Sequence, residues 1–324
     1  MLETIVTALL PIIVTLMLGF FAGWKHNFTQ QQAGVLNSMV MLYALPLLLF
    51  AGILSTPLAE VTGNIALFVW TAIGMIGGLV IVFAVSMFVF RSSSGVAALR
   101  AIAIAGPAVP FVGTPVLGVL FPGDADLVIA VSSLLMNLVQ VPLALIFLVG
   151  ASQTAGSPVT AGAATAKPAT SGLATALHAV VNAVRQPVVW APVLAFVLLL
   201  VGLDMPHYLK GSFTLLGQAT GGVALFAVGI VLFSQKVSVS IPVVINVAAK
   251  NIVLPAIILL GMRAFGISAT ETSLVVVTLA IPTASIAVIF AVQYATAQKE
   301  MASTLFWSTI LSVITMGGFI WITG

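Results

Sequence analysis

Cysteine is absent from this chain of 324 residues, which excludes disulfides and thiol chemistry. Charge is almost absent as well. Ten basic and seven acidic residues make up 5% of the sequence, and no hydrophobic run holds an aspartate or glutamate near its middle, which argues against a carboxylate-pair exchanger. The only histidines, His26, His178 and His207, lie outside the hydrophobic runs or at their edges. No HExxH helix and no Ser-His or paired-Asp constellation sits at depth, so no metal site and no intramembrane hydrolase is expected. Catalytic residues, metal and cofactor are therefore all expected to be absent. Asp124 and Asp126, in Pro122-Gly123-Asp124-Ala125-Asp126, read as a solvated loop rather than a metal-diphosphate site.

What remains is 61% apolar, arranged in runs that mostly exceed the roughly 20 residues needed to cross a bilayer. An all-α polytopic membrane protein is expected, because in lipid only a helix satisfies its own backbone without an edge. Ten spans can be drawn, near residues 3–24, 33–54, 63–90, 96–121, 125–149, 187–203, 213–233, 240–263, 270–293 and 301–322. The first lacks a basic stretch before it and is too long for a signal-peptide core, so it reads as a retained helix. Residues 151–186 are rich in Ala, Thr, Ser, Gly and Pro and read as a flexible linker. This division gives residues 1–150 as one five-helix half and 187–324 as the other.

Basic residues then set the orientation. Lys25, Arg91, Arg100, Lys167, Arg185, Lys236 and Lys299 fall on one side, against Lys210 and Arg263 on the other. The richer side is assigned to the cytoplasm, which makes the linker cytoplasmic and both termini periplasmic or extracellular in a bacterial inner membrane. The net charge of +3 reports this topology and not an affinity for nucleic acid. Five is odd, so a duplicated second half enters the membrane upside down. Ten helices as two inverted five-helix repeats are expected.

Spans four and nine are broken midway, at Gly106-Pro107-Ala108-Val109-Pro110-Phe111-Val112-Gly113-Thr114-Pro115 and at Ala280-Ile281-Pro282-Thr283-Ala284-Ser285. Proline removes a backbone donor and clashes with the preceding turn, and lipid offers no replacement partner. Paired breaks in two halves are the pattern of secondary transporters, whose half-helix ends face substrate near the midplane. Pro110 and Pro282 fall in equivalent spans, and Thr114-Pro115-Val116 aligns with Ile286-Ala287-Val288 without a gap. The hydroxyls of Thr114, Thr283 and Ser285, with backbone freed around Pro110, Gly113, Pro115 and Pro282, are candidate oxyanion partners.

Lys250 is the one charge deep in a span, where it costs roughly 2.5–3.5 kcal/mol on insertion scales. Four readings stand: it attracts an anionic substrate, it replaces a coupling cation, it snorkels toward the interface, or it holds two helices together. Asn251 beside it, and Asn137 and Gln140 in span five, could donate to a carboxylate, whereas Asn246 reads as interhelical glue. Thr304, Ser308 and Ser312 recur at i, i+4 and i+8 and read as a packing stripe.

Leu42-Tyr43-Ala44-Leu45-Pro46-Leu47-Leu48-Leu49-Phe50, Gly113-Thr114-Pro115-Val116-Leu117-Gly118, Lys250 with Pro255, and the break in span nine together resemble the auxin efflux carrier family. Among its members the chain looks most like the bacterial malonate carriers. The resemblance implies a fold related to bile acid symporters, with helices 1, 2, 6 and 7 as scaffold and helices 3–5 and 8–10 as a moving unit. It implies elevator-like alternating access, a small carboxylate bound where helices four and nine cross, and a homodimer through the scaffold. Family members often carry Asn beside the crossing prolines. Here Pro107-Ala108-Val109-Pro110 and Pro282-Thr283-Ala284 lack it, which shifts recognition toward Thr114, Ser285 and Asn137. The alternatives are a channel-like or non-transporting protein on the same scaffold, or a carrier of an auxin-like or bile-acid-like carboxylate.

Overall fold

The computed structural model describes residues 2–55, 65–122, 124–155, 181, 185–203, 205, 207–235 and 237–323. Most of the expected linker lies outside them. Among the described residues the chain is all helical, without strands. We number the helices α1 (Leu2–Trp24), α2 (Gln30–Leu54), α3 (Ile65–Phe88), α4 (Ser94–Ala105), α5 (Thr114–Leu120) and α6 (125–155), then α7 (Pro187–Leu200), α8 (His207–Gln235), α9 (Ile241–Ala264), α10 (Ala269–Ala280), α11 (Ile286–Gln293) and α12 (Gln298–Thr323). Six helices among the described residues are long and apolar enough to cross a membrane: α2, α3, α6, α8, α9 and α12. Shorter apolar helices lie in α1, α4, α7 and α10.

Helix starts follow local chemistry. Thr29 opens α2 with a capping box, accepting from Gln32 N while Gln32 Oε1 accepts from Thr29 N at 2.8 Å. Ser93 and Ser268 accept from the first-turn amides of α4 and α10. Wider π turns interrupt five helical segments, at Val40–Ala44, Ile73–Gly77, Val109–Gly113, Met136–Gln140 and Ala249–Val253. Four of them end two residues before a proline, namely Pro46, Pro115, Pro142 and Pro255. The reason is steric: proline cannot donate to the preceding turn and pushes against its carbonyl, and a widened turn accommodates both defects.

Two groups of helices result. In the first, α1 and α8 lie against each other more extensively than any other pair, with α2 packed on α8 and α7 on α2. Backbones touch where they cross. A Cβ on Gly19 would stand 2.0 Å from Phe226 O, and one on Gly229 would stand 2.2 Å from Leu16 O. Small residues permit this approach, which is how helices associate where lipid and side chains are equally apolar. The second group joins α3 through α6 with α9 through α12. Within it, α3 and α9 share one build, a helical segment, a π turn and a helical segment, with the π turn and the segment after it displaced by 176 residues (Ile73 to Ala249, Gly78 to Leu254, Phe88 to Ala264).

The basic-rich loops gather at one end. Gln30 Nε2 donates to Gln298 Oε1 at 2.7 Å and Gln186 Nε2 to Tyr294 Oη at 3.3 Å, which brings the segments beside Lys25, Arg185 and Lys299 together. Arg100 meets Glu300 there through two bonds, of 2.6 and 3.0 Å, and Asn246 donates to the same carboxylate at 2.9 Å. This is the one ion pair among the described residues, and it ties α4 to α9 and α12. Asn246, read from sequence as glue, does that work here.

Gly229→Val is expected to lower the yield of folded protein and its melting temperature, since overpacking costs about 1–3 kcal/mol. Gly222→Ala, where a Cβ would meet nothing within 4 Å, is the control that leaves melting unchanged. Fluorescence-detected size exclusion after heating reads both.

Candidate functional site

The site is built from two interruptions that meet. After α4, Gly106 turns extended at φ −102°, ψ 98°, and after α10, Ile281 does the same at φ −56°, ψ 139°. The two stretches run antiparallel, with Pro107 bridged to Thr283. Ala108 N donates to Pro282 O at 2.9 Å and Ala284 N to Gly106 O at 3.0 Å. Each break thus supplies the donor and the acceptor that the other lacks. An amide and a carbonyl left unpaired at this depth would cost several kcal/mol each.

The pairing displaces the expected register. At the crossing Pro107 faces Thr283, again 176 residues apart, and Pro282 O accepts from Ala108 N, so the paired stretch is centred on Pro107 and not on Pro110. Pro110 lies in the π turn that leads into α5. The gap-free match of Thr114-Pro115-Val116 with Ile286-Ala287-Val288 has a displacement four residues shorter than that of the paired stretches.

Around Thr283 the polar groups form one connected network. Thr283 Oγ1 donates to Ala103 O at 2.8 Å, and Thr283 N donates to Ser308 Oγ at 3.1 Å. Ser308 Oγ in turn donates to Asn251 Oδ1 at 2.7 Å, and Asn251 Nδ2 returns a bond to Ser308 O at 2.9 Å. A closed buried network of this kind fixes one geometry. The carbonyl ends of the broken helices are capped by side chains from neighbouring π turns. Gln140 Nε2 donates to Ala105 O at 3.0 Å and to Met75 O at 2.8 Å, while Lys250 Nζ donates to Leu279 O at 3.1 Å.

The sequence candidates divide accordingly. Pro282, Thr283 and Ser285 lie at the crossing itself. Asn251 and Lys250 lie behind it, fully buried and engaged with α12 and α10 rather than facing open space. Gly113 packs against Val109 and Ile281, where a Cβ would approach to 3.0 and 3.2 Å. Asn137 is half-buried and has no hydrogen-bond partner among the described residues. Its neighbours Leu134 and Leu138 pack against α2 and α7, which sets it beside the seam between the two helix groups. Ser285, 8% exposed, opens α11 with its hydroxyl unengaged among the described residues. For Pro110, Thr114 and Pro115 the backbone is helical, and their side chains lie outside the description.

Known proteins match this sequence along nearly its whole length. The protein family described as "Membrane transport protein" matches residues 4–320. The chain belongs to this family. An Escherichia coli K12 relative named "Uncharacterized transporter YfdV" is 29% identical over 326 aligned positions, covering all of this chain and 99% of its own. A Rhizobium meliloti relative named "Putative malonate transporter" is 26% identical over 322 positions, covering 97% of this chain and 94% of its own. A multi-pass membrane transporter family is therefore the setting for the crossing.

Three residues of this family member hold bonds that the sequence reading did not foresee. Ser308 reads as packing because its i, i+4, i+8 spacing is the same whether a face packs or binds. Gln140 is visible as a mid-depth amide, but its role at Ala105 O needs the fold. Asn37, buried in α2, donates to Ile289 O of α11 at 2.9 Å and so joins the two helix groups.

Ser308→Ala removes both the acceptor of Thr283 N and the donor to Asn251, and is expected to destabilise by about 1–3 kcal/mol. Ser312→Ala, equally buried but bonded only to Thr309 O of its own helix, is expected to be nearly neutral. Melting of the two purified variants side by side checks the difference.

Proposed function

We propose that this chain is a secondary carrier of a small organic anion, a malonate-like mono- or dicarboxylate, which binds where α4/α5 and α10/α11 cross. The observation that carries this reading is the antiparallel pairing of the two interruptions beside the unengaged hydroxyl of Ser285. The first turn of a helix carries a partial positive charge, so the start of α11 favours a carboxylate. Ser285 and Asn137 donate to the anion, Thr114 supplies a further hydroxyl, and Lys250 adds positive potential from behind. The name of the Rhizobium meliloti relative supports a carboxylate substrate.

In this reading α4 with α5 and α10 with α11 each make one broken span, giving ten spans in two inverted five-helix repeats. The 176-residue displacement shared by α3/α9 and by the crossing supports the duplication. Helices α1, α2, α7 and α8 act as the scaffold and the site of any homodimer. The other eight helical pieces move as one body, elevator-like, and the bonds from Asn37 and Gln30 across the seam break during the motion. The basic end faces the cytoplasm of a bacterial inner membrane, with both termini outside.

Malonate is expected to raise the melting temperature of the purified protein saturably, because a ligand that binds only the folded state stabilises it. Ser285→Ala and Asn137→Ala are each expected to weaken apparent affinity about tenfold, the loss of one hydrogen bond to a charged group. Counterflow in proteoliposomes then separates a carrier from a channel: unlabelled malonate inside accelerates labelled uptake only through a carrier. No shift with any small carboxylate would contradict the substrate class.

A further inference from the structure

The two broken helices that end at the crossing are capped differently. At the carbonyl end of α4 the cap is the neutral amide of Gln140, and at the carbonyl end of α10 it is the ammonium of Lys250. Lys250 is 0% exposed, and no carboxylate among the described residues lies within ion-pair distance of it. Its only recorded bond is to Leu279 O, leaving two of its three donors without a protein partner among the described residues.

Leu279 is held from two sides. Its carbonyl takes the ammonium, and its side chain fills the space over Gly74, where a Cβ would stand 2.4 Å from Leu279 Cδ1. Gly74 is the residue that the 176-residue displacement relates to Lys250. One π turn therefore reaches the carbonyl end of α10 with a cation, and its counterpart reaches the same residue with no side chain at all. Asn251, fixed by its two bonds to Ser308, locks the turn that carries Lys250. The position is built.

A helix carbonyl end carries partial negative charge, and in carriers with broken helices such ends and the adjoining unwound carbonyls hold the coupling cation. We propose that the Lys250 ammonium is a tethered cation: it occupies the cation position at the carbonyl end of α10, so this carrier takes up no sodium there. The consequence for transport rests on the carrier reading above. The occupancy itself does not, and it can be measured without substrate.

The test compares melting of the purified full chain in sodium, ammonium and N-methylglucamine chlorides at matched ionic strength. Wild type is expected to melt alike in all three. Lys250→Ala opens a cavity at the negative end of α10 and is expected to melt lower in N-methylglucamine and to recover, saturably, in sodium or ammonium. Lys250→Met refills the space with an apolar chain and is expected to show no recovery, which separates a filled cavity from a general salt effect. Sodium stabilisation of the wild type would overturn the proposal. So would a folded Lys250→Ala that ignores both cations, recovery of Lys250→Met to the same extent, or failure of Lys250→Ala to fold in any of the three salts. Malonate plays no part in these measurements, so a wrong substrate class would leave their outcome unchanged.

Discussion

Everything at the centre of this protein depends on two backbone hydrogen bonds, from Ala108 N to Pro282 O and from Ala284 N to Gly106 O. In lipid a broken helix is tolerable only where the freed groups find partners inside the protein. Here each break completes the other. Neither half of the chain can form the junction alone, so the site exists only when α4/α5 and α10/α11 have docked. That requirement explains the surrounding detail. Gly106 has no side chain because a Cβ would stand 2.5 Å from Ile102 O and 3.2 Å from Gln140 Oε1. Thr283 is a hydroxyl residue because Ala103 O needs a donor, and Ser308 is there to accept from Thr283 N.

Polar side chains reach this junction through π turns. Gln140 lies in one, and Lys250 and Asn251 in another. A widened turn rotates the residues after it relative to a regular helix, so an otherwise apolar helix can aim one or two polar groups inward without exposing them to lipid. Proline and function are thus linked by one mechanism. Pro142 and Pro255 widen the turns that carry Gln140 and Lys250, and the two residues then cap the carbonyl ends of α4 and α10. The first helix group uses the opposite strategy. At Gly19 and Gly229 it removes side chains until backbones touch, which favours a rigid seam between α1 and α8.

Much of this was legible in the sequence. Hydrophobic runs located the helices to within a few residues, since length and apolarity are forced by the bilayer, and the proline-rich stretch from Gly106 to Pro115 together with Pro282 announced the breaks. The register of the crossing was not legible. Three prolines fall between residues 107 and 115, and only pairing with Ile281–Ala284 selects Pro107 as the central one. The partner of Lys250 was equally out of reach, because a backbone carbonyl has no signature in the residue that bears it. The partners of Ser308 were out of reach for a related reason: helical spacing reports the face a residue shares and says nothing of what covers that face.

The paired junction can be tested directly because the chain has no cysteine of its own. Pro107 and Thr283 form a non-hydrogen-bonded antiparallel pair, whose Cα atoms stand about 4.5 Å apart, within the range a disulfide spans. In a Pro107→Cys/Thr283→Cys variant, mild oxidation in membranes is predicted to give an intramolecular disulfide, identified by mass spectrometry of the linked peptides. A Ser273→Cys/Thr323→Cys variant, made where the two native hydroxyls lie 2.8 Å apart, serves as the positive control. Efficient linkage of both pairs is expected. Linkage of the control with none between positions 107 and 283 would contradict it.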